Sequence, residues 1–147
     1  MASFKGQAEY SVDSKGRVAI PAKMRNALSP EAKNTFTITR GFERCINLYP
    51  QDEWVRREEE IGRLNTYRAE TRDFIRSIMM WAEEVTLDGQ GRIVLPKTLM
   101  EFASIQDAAL IIGAFDHIEI WQPEAFKVYQ DGIQEDYPTL AEKVLGM

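Results

Sequence analysis

At 147 residues, with 44% apolar and 28% charged side chains, the chain has globular composition, which excludes intrinsic disorder and allows one substantial core. Its single cysteine, Cys45, excludes an internal disulfide framework and fits a reducing compartment. The net charge of −5 argues against a uniformly basic nucleic-acid binder, yet the charge is polarised: residues 1–25 carry five Lys and Arg against two acids, and residues 107–147 carry two against eight.

The first stretch, "MASFKGQAEYSV", has no apolar leader core, and no later apolar run approaches the length of a membrane span, which predicts a soluble, cytoplasmic protein. Next comes "YSVDSKGRVAIPAKMR", read as strand, bend, strand, proline and helix. Gly16 permits a positive-φ bend. Asp13 can accept hydrogen bonds from the N–H groups of that bend, or pair with Arg17 and aim its guanidinium. In the strand that follows, Val18 and Ile20 share one face, Arg17 and Ala19 the other. Pro21 opens the short helix "AKMRNAL". In "TFTITRGFERCINLYP", Thr35, Thr37 and Thr39 alternate with Phe36 and Ile38, predicting a half-buried strand, a turn at Arg40-Gly41 and a return through Ile46 and Leu48.

A helix over "QDEWVRREEEIGRLN" carries Trp54, Ile61 and Leu64. A second, over "RAETRDFIRSIMMWAEEV", carries Phe74, Ile75, Ile78, Trp81 and Ala82 on one stripe. These two helices have no counterpart elsewhere in the sequence and are expected to pack as a hairpin. Then the opening pattern returns as "VTLDGQGRIVLPKTLM". Asp88, Gly91, Arg92 and Pro96 repeat Asp13, Gly16, Arg17 and Pro21 at a constant offset of 75 positions. The helix "KTLMEFA", the strand pair "ALIIGAFDHIEIWQP" and a proline-opened helix at Pro123 follow, before an acidic tail with a weak last helix. The expected fold is α+β, an internal pseudo-dimer with halves over 1–54 and 84–130, a helical insert over 55–83 and a tail over 131–147.

A rigid bend carrying Lys and Arg suits DNA. Arginine can hold guanine through O6 and N7 in the major groove, lysine can meet phosphates, and a pair of strands fits that groove as a helix does. The candidate DNA contacts are Arg17, Lys15, Asp13, Lys5 and Arg25 in the first copy, with Arg92 and Asp88 in the second. The second copy is less basic: Gln90 replaces Lys15, Thr98 replaces Lys23 and Met100 replaces Arg25. Most contact is therefore assigned to the first copy, with Arg92 bracing its own bend. His117, the only histidine, reads as polar surface in a turn, and one His with one Cys builds no transition-metal cluster. Glu58 to Glu60 read as an exposed helix face. No phosphate loop or glycine-framed serine appears, so neither an enzyme nor a cofactor is expected.

The stretches "FKGQAEYSVDSKGRVAIPAKMR" and "LDGQGRIVLPKTLM" resemble the MraZ family, whose members carry two tandem copies of the swapped-hairpin barrel of AbrB-type transcription factors. The resemblance covers essentially the whole chain, and Asp13, Arg17, Asp88 and Arg92 take the places of the family's Asp-x-x-x-Arg. It implies a DNA-binding transcriptional regulator of a cell-division and cell-wall gene cluster. It also implies a nucleoid-associated protein, assembled as a ring-shaped homo-oligomer on short G-rich direct repeats. Two other readings remain: an assembly ring that grips protein partners, and an antitoxin-like module working through its acidic tail.

Overall fold

The computed structural model describes residues 2–146. The first half runs β1 (Gln7–Ser11), β2 (Arg17–Ala19), α1 (Ala22–Asn26), a 3-10 turn (Pro30–Ala32), β3 (Thr35–Arg40), β4 (Ile46–Pro50), α2 (Gln51–Gly62) and α3 (Ala69–Met79). The second runs β5 (Glu83–Thr86), β6 (Arg92–Val94), α4 (Lys97–Phe102), β7 (Ala108–Gly113), β8 (Ile118–Trp121), α5 (Pro123–Asp131) and α6 (Tyr137–Leu145). Each half thus ends in two helices, and the pair α2–α3 has its counterpart in α5–α6. This corrects the expectation that α2 and α3 have no counterpart elsewhere in the chain. Among the described residues no helix is long and apolar enough to cross a membrane.

All strand pairing is antiparallel, so the fold is α+β. Six strands form one sheet in the order β1-β7-β8-β4-β3-β5, and β2 and β6 form a separate two-stranded ribbon. The pairing exchanges strands between the halves. β1 lies on β7, with Gln7 opposite Ile112 and Ser11 opposite Ala108. In return β5 lies on β3, with Thr35 opposite Thr86. Val18 and Ile93 project inward from the ribbon and join Ile20, Met24, Phe36, Ile38, Leu48, Leu99, Ile111 and Ile120 in one core drawn from both halves.

Three further expectations need correction. Strand β3 is buried on both faces, not one: Thr37 and Thr39 are as inaccessible as Phe36 and Ile38. Helices cover the threonine face and satisfy it, Thr37 Oγ1 donating to Gln51 Oε1 at 2.8 Å and Thr39 Oγ1 to the Ile78 carbonyl at 2.9 Å. Helix α3 stops at Met79, before Trp81 and Ala82. Trp81 instead packs on Phe102, with the Arg40 guanidinium over both rings. No residue of α3 is fully buried, and a cleft of about 220 Å³ lined by Trp54, Ile61, Leu64, Phe74 and Ile78 separates it from α2.

His117 is the third correction. It is largely covered, stacked on Tyr49 with ring centroids 5.2 Å apart. Its Nδ1 meets Asp116 at 2.8 Å and its Nε2 meets Glu119 at 3.1 Å. Asp116 in turn pairs with Arg57 of α2 at 2.6 Å, and Arg57 lies over the Tyr49 ring and 3.3 Å from the buried Glu53. The β7–β8 turn of the second half is therefore clasped to α2 of the first. Chain order gives no sign of this, because the partners lie about sixty positions apart.

Candidate nucleic-acid interface

The repeated Asp-x-x-Gly-Arg forms two tight bends of matching construction. In the first, Asp13 N donates to the Arg17 carbonyl at 3.1 Å and Gly16 N to the Asp13 carbonyl at 2.9 Å. In the second, Asp88 N donates to the Arg92 carbonyl at 2.9 Å and Gly91 N to the Asp88 carbonyl at 3.0 Å. Closing so short a bend requires positive φ at the glycine, +80° at Gly16 and +74° at Gly91, where a side chain would be strained.

Each aspartate does both things that the sequence left open. Asp13 Oδ1 accepts from the backbone N–H of Lys15 at 3.0 Å and of Arg17 at 2.8 Å, while Oδ2 accepts from Arg17 Nε at 2.6 Å. Asp88 repeats this with Gln90 N, Arg92 N and Arg92 Nε, all at 2.9 Å. The backbone N–H of the following arginine, with its guanidinium, holds each carboxyl below the usual carboxylate range. Both aspartates are therefore ionised at neutral pH. Among the described residues only Nε of each arginine is engaged, which leaves the Nη groups available for a ligand.

The ribbon sets where those groups point. In its register Arg17 faces Val94 and Ala19 faces Arg92. Residues two apart, and residues directly opposite, lie on one face of a strand pair. Arg17, Ala19, Arg92 and Val94 thus share the outer face while Val18 and Ile93 anchor the inner one. The two arginines sit on a diagonal, roughly 7–8 Å apart at the backbone. The ladder continues past the ribbon into the bends: Leu95 N donates to the Gly16 carbonyl at 2.8 Å, and Ile20 N to the Gly91 carbonyl at 3.0 Å. Each bend is fixed by the other half.

Two candidates fall where the sequence could not put them. Arg25, on α1 of the first half, lies over the second bend. Its Nε donates to the Ile20 carbonyl at 2.9 Å, and a Cβ on Gly91 would come within 2.7 Å of its Cζ. Met100, its counterpart, packs near Gly16 of the first bend. The first bend therefore offers Lys15 and Arg17, and the second offers Arg92 and Arg25. The charge deficit read from Gln90 and Met100 is offset across the halves. Lys5 lies at the far end of β1 from the first bend and shares a pocket with Lys23, Ser3 and Gly6. Sequence reasoning passed over Val94, the exposed apolar member of the ribbon face.

The MraZ protein family model matches this chain twice, over residues 3–77 and 78–145. The chain belongs to the MraZ family. Relatives within it include the transcriptional regulator MraZ of Syntrophomonas wolfei, 40% identical over 98% of this chain and 98% of its own. That of Natranaerobius thermophilus is 39% identical over 97% and 96%. That of Desulforamulus reducens is 33% identical over 98% and 99%. The two family matches meet at residues 77 and 78, within the last turn of α3, so each MraZ unit takes one ribbon strand and essentially one pair of terminal helices.

Proposed function

We propose that the chain is a sequence-specific, double-stranded-DNA-binding transcriptional regulator that reads the major groove with its β2–β6 ribbon. The observation that carries this reading is the placement of Arg17 and Arg92 on one outer face, each held by an aspartate through Nε, with no bond to its Nη groups among the described residues. A two-stranded ribbon matches the width of the major groove, and a guanidinium offering two donors matches guanine O6 and N7. Asp13 with Arg17 and Asp88 with Arg92 form the two reading pairs. Lys15 and Arg25 meet the flanking phosphates, and Lys5 lies farther along the backbone track.

The exchange of β1 and β5 supports a swapped-hairpin arrangement in which 1–54 and 84–130 form the DNA-reading body, flanked by helices at 55–83 and 131–147. The exposed Phe42 and Phe74 beside the α2–α3 cleft support assembly into a closed homo-oligomer larger than a dimer. Such a ring repeats the ribbon in one orientation and suits direct repeats, here in a cell-division and cell-wall gene cluster on the nucleoid. Few phosphate contacts per chain then sum through effective concentration.

A gel shift with DNA from upstream of the protein's own gene tests the reading. Arg17→Ala is expected to lower specific affinity by about 1–3 kcal/mol, the value of a good bidentate base contact. Lys15→Ala is expected to weaken all sequences evenly, and binding is expected to fall steeply as salt rises. Undiminished, salt-independent binding by Arg17→Ala would favour a protein-gripping ring. A persistent monomer in sedimentation, still binding tightly, would remove the ring.

A further inference from the structure

The outer face of the ribbon has four members, and the proposed function uses only two. Arg17 and Arg92 supply donors, Ala19 is small, and Val94 stands 53% exposed. Its neighbours along the strand behave differently: Ile93 and Leu95 are buried in the core at 1% and 3%. An isopropyl group left in water beside two guanidinium groups contributes little to the core. Strand propensity alone accounts for a β-branched residue there, but not for its place directly opposite Arg17 on the face that carries both motif arginines.

Base edges in the major groove offer one apolar feature, the C5-methyl group of thymine. We infer that Val94 reads a thymine methyl beside the guanine held by the ribbon arginines, an inference that rests on the major-groove reading proposed above. Cross-strand partners have Cβ atoms about 4.5–5.5 Å apart. Base pairs rise about 3.4 Å per step, so the thymine lies within one or two steps of the guanine that Arg17 holds. The internal repeat is broken at this position. Val94 occupies the place that Ala19 has in the first copy, and the shorter methyl of Ala19 stays farther from the groove floor. The ribbon face therefore reads an asymmetric element, with the apolar contact supplied by β6.

The probe is a duplex enriched from random-sequence DNA by binding to the wild-type protein, with each thymine replaced singly by deoxyuridine, which lacks only the methyl. One replacement is expected to weaken wild-type binding about fourfold, the effect of returning one buried methyl-sized group to water. Val94→Ala, at an exposed site that leaves the core intact, is expected to bind the thymine and uridine duplexes alike. The inference is overturned if no replacement matters, or if the loss is the same in Val94→Ala, while Arg17→Ala still loses specific binding. If Arg17→Ala instead retains specific binding, the major-groove reading itself fails and the inference falls with it.

Discussion

Asp13 and Asp88 place negative charge beside the groups proposed to meet a polyanion, and the sign of their effect is a sharp test. By net charge alone, Asp13→Ala would strengthen DNA binding, since it removes a repulsion. The geometry predicts the opposite. Asp13 holds two backbone N–H groups of the bend and Arg17 Nε, so its loss frees the guanidinium to wander and restores ordering entropy to the cost of binding. Weaker specific binding, approaching that of Arg17→Ala in fluorescence anisotropy, is the expected outcome, and tighter binding would refute the aiming role. Gly16→Ala and Gly91→Ala meet different neighbours. Gly16 has the Leu95 carbonyl 3.1 Å from a new Cβ, whereas Gly91 has the Arg25 guanidinium at 2.7 Å. Both substitutions strain a positive φ, but Gly91→Ala also displaces a candidate contact and so is expected to lose more affinity.

The ribbon carries the candidate interface, and the histidine clasp ties the two halves together elsewhere in the fold. Ile93 anchors the ribbon and is 1% exposed, so Ile93→Ala is expected to cost about 2–5 kcal/mol in chemical denaturation, as for a buried large-to-small change. The clasp should make stability depend on pH. Burial disfavours a charged His117, but hydrogen bonds to Glu119 and Asp116 outweigh it and raise its pKa above the ordinary value of 6.5. A raised histidine contributes its full stabilisation below the unfolded pKa and loses it as pH rises through the folded one. The bond from His117 lowers Glu119, while Asp116 stays lowered, despite its burial, through His117 and Arg57; their contributions disappear in acid. Thermal unfolding is therefore expected to be most resistant between the carboxylate range and about pH 6.5, declining above it, and His117→Gln should flatten the alkaline limb. How much of this was legible in the sequence follows from its range. Asp-x-x-Gly-Arg was readable because its bonds close within five residues. The polar face of β3 was misread because its cover, Gln51 and the Ile78 carbonyl, comes from helices elsewhere in the chain. His117 was misread for the same reason, its partner Arg57 lying in the other half.

Across the whole molecule, the two bends are closer to equal than their sequences. Arg25 reaches over the second bend, so Arg92→Ala is expected to lose specific affinity to a similar degree as Arg17→Ala. A loss confined to Arg17→Ala would restore the first-copy dominance that the charge count implies. The exchange of strands also ties the molecule to the timing of its synthesis. Gln7 of β1 has its partner at Ile112, so β1 leaves the ribosome long before its partner strand and must wait for it. At roughly 5–20 residues per second of translation, that wait is on the order of five to twenty seconds. During it, β3 and β4 can form their hairpin, but β3 lacks β5 and β1 lacks β7. Two nascent chains on one message, held close at that moment, present matching vacancies to each other. A β1 strand that pairs with a neighbour's β7 closes the same sheet with the same bonds, so crowded translation would yield interlinked chains that dilution cannot separate without unfolding them.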